Sequence, residues 1–543
     1  MSSNRGVFRS GIAQTERKGL NRTILPESTS FWRPLKSTTF RNLLVANVVS
    51  DIGAFMQTVG AAWLMISLKG GPMYVALIQT ASALPFFVLA LPAGAIGDIV
   101  DRRKIILFTQ VWMGSLAVIL AAITLSGAMS PVLLLVLTFA LSAGDAFETP
   151  AWRALLPELV EKEDLAAASA LNGIEFNFAR AVGPALGGAV VAVAGAGTAF
   201  SLNALSFAGV IIAVTRWHRV AIKRATPPET VGGATRAALR YIRYSPAVWK
   251  IFVRAGAAMF FASSLLALLP SVARGVNGSA ASYGVLLGSF GCGAVLGAVL
   301  LQHARARWSA EVVVSASVVS LGLTTIATGL LDVMWAIAAV MLLGGAAWVS
   351  FMSLFNVQVL NRAPDWVRAR VLAVSMLVFQ GAVAAGSAAW GAIAAHDGVG
   401  QALIWAGVGA ILTPSLAFFM PLSDTTVDLT AWNHWRMPSV SNDIGSEGPV
   451  LVIAEYDVIP EQAEEFIKAM HEYGRIRRRD GASRWGVFKD LETADRYTEI
   501  FIVSSWQEHL RQHDRITRAD SRFEVRIRNC VRSDPTVRHL LYS

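Results

Sequence analysis

Twelve apolar runs of roughly twenty residues constrain this chain more than any other feature. They fall at about Leu43–Leu68, Tyr74–Ile96, Ile105–Leu125, Pro131–Phe147, Ala166–Val193 and Ala199–Val214. A second set falls at about Phe252–Val272, Tyr283–Leu301, Val312–Leu331, Trp335–Val359, Val371–Ala395 and Ala402–Met420. Each is long enough to cross a bilayer as a helix, which satisfies its own backbone hydrogen bonds where water is absent. With 54% hydrophobic and 15% charged residues, a large soluble enzyme is excluded. The net charge of +10 belongs to the same picture. Lysine and arginine gather in the N-terminal tail, in Arg216–Arg243, and in the loops Arg102–Lys104, His303–Arg307 and Arg362–Arg370, which alternation puts on one side. That side, with both termini, is expected to be cytoplasmic, and nucleic acid is not an expected partner.

The runs divide six and six around a polar connector. The segments read as a basic tail (1–38), a six-helix bundle (39–218), a connector (219–249), a second six-helix bundle (250–423), a linker (424–448) and a charged soluble domain (449–543). Gly183, Gly188 and Gly195 recur as Gly386, Gly391 and Gly398 at one offset (386 − 183 = 203). Two similar bundles that rock about a site at the membrane midplane are what alternating access needs. The soluble domain reads strand (Val450–Asp457), helix (Pro460–Arg478), strand (Arg484–Asp490), strand (Arg496–Ser505), helix (Trp506–Asp520), strand (Phe523–Arg528). This order predicts a ferredoxin-like α+β fold, suited to dimerisation. His509 and His513 lie one helical turn apart without the spacing of a metal site, and neither Cys292 nor Cys530 adds one; no metal or cofactor is expected.

Ionisable residues inside spanning helices are costly and therefore candidates for function. Asp51 lies a third of the way into the first run, and Glu175 and Arg180 lie in the fifth. The two carboxylates are candidates for a proton site, with Arg180 as a counter-ion or an attractor of anions. Asp145 and Glu148 end the fourth run and are assigned to a cytoplasmic gate with Arg102 and Arg103.

The hairpin Gly94-Ala-Ile-Gly-Asp-Ile-Val-Asp-Arg-Arg-Lys104 joins the second and third runs. It resembles the loop between the second and third helices of major facilitator superfamily transporters, Gly-x-x-x-Asp-(Arg/Lys)-x-Gly-(Arg/Lys)-(Arg/Lys). Gly94, Asp98, Arg102 and Arg103 match; Ile99 and Asp101 depart from it. The resemblance implies that these residues latch one conformation. It also implies a small residue at Gly94 where two helices approach closely. Gly183-Pro184-Ala-Leu-Gly187-Gly188 resembles the fifth-helix element of the superfamily's antiporters, where proline kinks the helix and glycines admit a neighbour.

Met56–Trp63, Ala151–Leu159, Asn172–Gly188, Asp480–Gly486 and Ser505–His513 together extend the resemblance over nearly the whole chain. It is to the bacterial transmembrane secretion effector group, which includes relatives of the enterobactin exporter. The implied function is proton-coupled export, across the inner membrane, of a siderophore, drug or other small amphipathic metabolite. An alternative of another class is a membrane-anchored module whose soluble domain is a cofactor-free oxygenase or a ligand sensor.

Overall fold

In the computed structural model, which describes residues 31–217, 231–422, 427–430, 432 and 448–542, twelve helices are long and apolar enough to span a membrane. The first six are α1 (Thr38–Ser67), α2 (Pro72–Ile99), α3 (Arg102–Leu125), α4 (Pro131–Leu159), α5 (Leu165–Ala194) and α6 (Ala196–Arg216). A connector helix α7 (Val231–Tyr244) follows. The second six are α8 (Pro246–Asn277), α9 (Ala280–Arg307), α10 (Ala310–Leu330), α11 (Met334–Leu360), α12 (Asp365–Asp397) and α13 (Val399–Leu412). The tail, apart from its last residues, and most of the linker lie outside the described residues.

Local chemistry sets the helix ends. Ser37, Ser130, Ser279 and Ser309 cap α1, α4, α9 and α10 by accepting from first-turn amides. Asp101 does the same for α3, taking Arg103 N at 2.9 Å. Its carboxylate therefore replaces the glycine of the superfamily loop with a cap, and only Val100 and Asp101 separate α2 from α3. Gly195 and Gly398 adopt φ of 81° and 91° at the α5–α6 and α12–α13 turns, where a side chain would be strained. These two turns are the repeat offset seen as backbone geometry.

From Val231 onward, where it is described, the stretch read as a polar connector is helical. In α7, Ala237, Ala238 and Tyr241 are buried on one face, and α8 starts at Pro246, inside that stretch. The Tyr241 hydroxyl donates to Arg362 O at 2.6 Å in the α11–α12 turn, and burial pushes it up to about 12.

The soluble domain has four strands, β1 (Val450–Asp457), β2 (Arg484–Lys489), β3 (Arg496–Val503) and β4 (Thr536–Leu541). They form an antiparallel sheet in the order β2-β3-β1-β4, the ferredoxin-like arrangement expected. Its helices are α14 (Ala463–Asp480), α15 (Trp506–Arg515) and α16 (Ser521–Asn529). The last element is a correction: Phe523–Arg528 is helical, and the fourth strand lies further on. Glu524, Ile527 and Cys530 are the buried positions, a spacing of three that belongs to a helix face and its cap.

Within the domain, Glu499 is fully buried and accepts from Tyr456, Arg477 and Trp485. The domain docks on the second bundle. Arg240 of α7 pairs with Glu508 at 3.1 Å, Arg479 lies over the Tyr241 ring, and Arg515 lies 4.6 Å over Trp366 at the start of α12.

His509 sits among Trp506, His513 and His539. Burial, then the neighbouring His513 and His539, hold it down to about 3. Unfolding returns it to near 6.5, so the unfolded chain binds the extra proton between those values. The domain is therefore expected to keep its full stability above pH 6.5 and to lose about 1.4 kcal/mol per pH unit as pH falls towards 3. Thermal unfolding of wild type and His509→Asn across that window checks this: the variant's profile should be flatter by that slope.

Candidate functional site

The first bundle carries four acidic side chains on α1, α4 and α5: Glu148 and Glu175 are buried, Asp51 is half-buried and Asp145 is exposed. Asn47 and Asp51 are one turn apart on α1 and share a face. Opposite them on α5, buried Glu175 accepts from Asn47 Nδ2 at 3.3 Å, and the Asp51 carboxyl is within hydrogen-bonding reach of Glu175. Glu175 Oε1 is buried with no hydrogen-bond partner. On α4, Glu148 accepts from Thr109 Oγ1 and Gln110 Nε2, each at 2.7 Å, and Asp145 holds Thr149 one turn on. The α4 carboxyls are near enough for their charge to act on Asp51.

Asp145 and Glu148 do not join Arg102 and Arg103 in this structure. Helix α4 continues through Pro150 and Pro157 to Leu159, so Glu148 lies about 16 Å from its end. The partner of Arg102 is Glu158 at 2.6 Å, together with Ala154 O. Arg103 instead donates to Val214 O and Thr215 O at the C-terminal end of α6, where carbonyls lack intrahelical partners. Both arginines thus brace the first bundle from within. The side chain of Asp98 lies outside the described residues.

Arg180 differs from expectation as well. Its guanidinium lies 4.8 Å over the Phe176 ring, and it has no carboxylate partner among the described residues. Five residues separate it from Glu175, which turns the two to different faces.

Gly183, Gly187 and Gly188 lie at close helix contacts. A Cβ on Gly183 would come within 2.6 Å of Phe55 Cβ, and one on Gly187 within 2.7 Å of Met56 Cα, both on α1. One on Gly188 would lie 2.8 Å from Gly284 Cα on α9, in the other bundle, beside the kinking Pro184. The second half repeats this: Gly386 lies against Phe260 of α8, and Gly391 against Ala76 of α2.

The described hydrogen bonds and glycine contacts between the bundles run from one end to the helix midpoints, where Gly291 lies against Arg180 O and Gly381 against Phe87. They include Thr80 to Ala384 O at 3.0 Å and Arg274 to Ile66 O at 3.1 Å. At the opposite end, which carries the basic loops, a Cβ on Gly94 would meet nothing within 4 Å. Gly94 therefore does not mark a close helix contact in this structure, and none of the described contacts between the bundles lies at that end.

An ion pair in the second bundle escaped the sequence reading. Buried Arg254 on α8 pairs through two nitrogens with Glu311 on α10, and Glu311 also accepts from Leu422 N at 2.7 Å. The available signal was two opposite charges near the same end of neighbouring apolar runs.

The family model for transmembrane secretion effectors matches residues 29–543, the soluble domain included. The chain belongs to the transmembrane secretion effector family. Among curated relatives of this family member, the staphyloferrin A transporter of Staphylococcus aureus is 27% identical over 29% of this chain and 40% of its own length. The multidrug efflux pump Tap of Mycolicibacterium fortuitum is 22% identical over 70% of this chain and 95% of its own. The enterobactin exporter EntS of Salmonella typhi is 24% identical over 58% and 75%. Two of the curated relatives, the staphyloferrin A transporter and one other, are matched over only 40% and 52% of their own lengths.

Solved structures agree on the fold. A bacterial homologue of the lysosomal transporter Spinster, inward-facing and unoccupied, matches 71% of this chain and 97% of its own, with a TM-score of 0.57 at 14% identity. The nucleoside transporter NupG matches 70% of this chain and 98% of its own, with a TM-score of 0.56 at 12% identity. The membrane part has the major facilitator fold.

Proposed function

We propose that this protein is a proton-coupled exporter that moves a siderophore or similar small amphipathic metabolite out of the cell by alternating access. The observation that carries the reading is the group formed by Asp51 and Glu175, with Asp145 and Glu148 beside them. Two carboxyl groups facing each other, one with an orphaned buried oxygen, satisfy one another when a proton lies between them. A site that takes up a proton in one orientation and gives it up in the other couples proton entry to substrate exit.

The basic loops set the orientation through the positive-inside rule, so the open end faces the cytoplasm and both termini lie there, in a bacterial inner membrane. The relatives named for staphyloferrin A and enterobactin support a siderophore as substrate. Multidrug efflux is the second reading, favoured by the match that spans 95% of the pump Tap. Arg102 and Arg103, with Asp98, act as the gate that closes this end when the bundles rock.

Comparison of spent medium and cell contents from hosts with and without the gene, under iron-rich and iron-poor growth, tests this by mass spectrometry. One metabolite should vanish from the medium and accumulate inside only when iron is scarce. No change in either condition would refute the siderophore reading, and restored drug tolerance in the complemented strain would then identify the efflux reading.

A further inference from the structure

A groove of about 650 Å³ runs between α1 and α6 at the end of the first bundle that carries the basic loops. It is separate from the carboxylate group. On α1, Thr38, Asn42, Val45 and Val49 line it at helical spacing, which puts them on the face opposite Asn47 and Asp51. Its two ends differ in chemistry. At the polar end stand Arg41, one turn into α1, and Arg216, the last residue of α6, beside the first turn of α1 with its positive helix end. Neither arginine has a carboxylate partner among the described residues. Along the rest of the groove Val45, Val49, Leu205 and Ile212 are each more than half exposed.

Two free cations at a membrane surface, continued by an uncovered apolar strip towards the bilayer centre, match the two parts of one kind of molecule. We propose that this groove binds one anionic phospholipid, its phosphate between Arg41 and Arg216 and an acyl chain along Val45, Val49, Leu205 and Ile212. The chain's own N-terminal segment is a poor occupant on charge. Residues 1–30 carry Arg5, Arg9, Arg17, Lys18 and Arg22 against Glu16 and Glu27, so they repel the polar end. The site does not depend on the direction of transport or on the substrate.

Native mass spectrometry of the purified full chain, titrated with dioleoyl phosphatidylglycerol or dioleoyl phosphatidylcholine, tests it. Phosphatidylglycerol should be retained and phosphatidylcholine should not. Arg41→Gln combined with Arg216→Gln should weaken retention about thirtyfold, near the worth of two arginines at a charged membrane surface. Gly209→Leu is an independent arm that keeps both cations. A Cβ at Gly209 meets nothing within 4 Å, so the larger side chain fills the groove without a clash, and it should also reduce retention. Arg305→Gln with Arg307→Gln removes the same charge at the same end of the second bundle and should change nothing. Equal retention of the two lipids would overturn the proposal. So would wild-type retention in the Gly209 variant, or an equal loss in the Arg305/Arg307 control.

Discussion

Asp51→Asn should reduce gradient-driven efflux to the level of cells lacking the protein, while membrane insertion and expression stay at wild type. The substitution keeps the size and a hydrogen-bonding amide opposite Glu175, so helix packing between α1 and α5 survives. It removes one of two facing groups that can share a proton, and the neighbouring Asn47 already shows that an amide fits against Glu175. The measurement is transport in inside-out vesicles with an imposed pH difference, paired with substrate exchange in the absence of any gradient. Loss of the first with retention of the second would mark Asp51 as a coupling residue. Equal loss of both would make it a structural one, and wild-type behaviour in both would remove it from the mechanism. Glu175→Gln should behave likewise, because in the proposed mechanism the proton is shared by the pair.

Gly188→Leu should separate the bundles at the end where they now touch. The added Cβ would stand 2.8 Å from Gly284 Cα and 2.9 Å from Ala280 O, both backbone atoms that cannot swing aside. The closed contact is expected to lose about 1–3 kcal/mol, the usual cost of overpacking. In the alternating access proposed above this contact opens, so the penalty should fall on this state and shift the population towards the one open at the other end. Distances between spin labels on α6 and α10 would report the shift, and active transport should fall with it. Gly94→Leu is the contrast: nothing lies within 4 Å of its Cβ, so in this state its effect should stay within about 0.5 kcal/mol. An unchanged distance distribution in the Gly188 variant would refute the account.

The twelve spans were legible because a bilayer demands length and apolarity, and both are properties of sequence alone. The duplication was legible because the glycines at 183, 188 and 195 answer those at 386, 391 and 398 for steric reasons that repeat in both halves. What escaped was direction. Asp145 and Glu148 read as the end of a helix because Pro150 follows, yet a proline in a membrane helix is tolerated where neighbours take up the freed groups. Glu148 therefore lies buried within the bundle against Thr109 and Gln110, with exposed Asp145 less than a turn before it. Arg180 stacks on its own helix instead of crossing to a carboxylate, a choice that depends on which face α5 turns inward. In the soluble domain, Phe523, Val525 and Ile527 alternate with charges as a strand would, but the buried set is Glu524 and Ile527. The true fourth strand is an exposed edge and shows only weak alternation.

The way the soluble domain is attached has a mechanical result. Its described ties run through Arg240, Tyr241 and Trp366, all on α7 or the second bundle. In the alternating access proposed above, the domain therefore travels with the second bundle like the arm of a lever. Whatever grips that arm, whether a ligand or a second copy, would add its load to that motion.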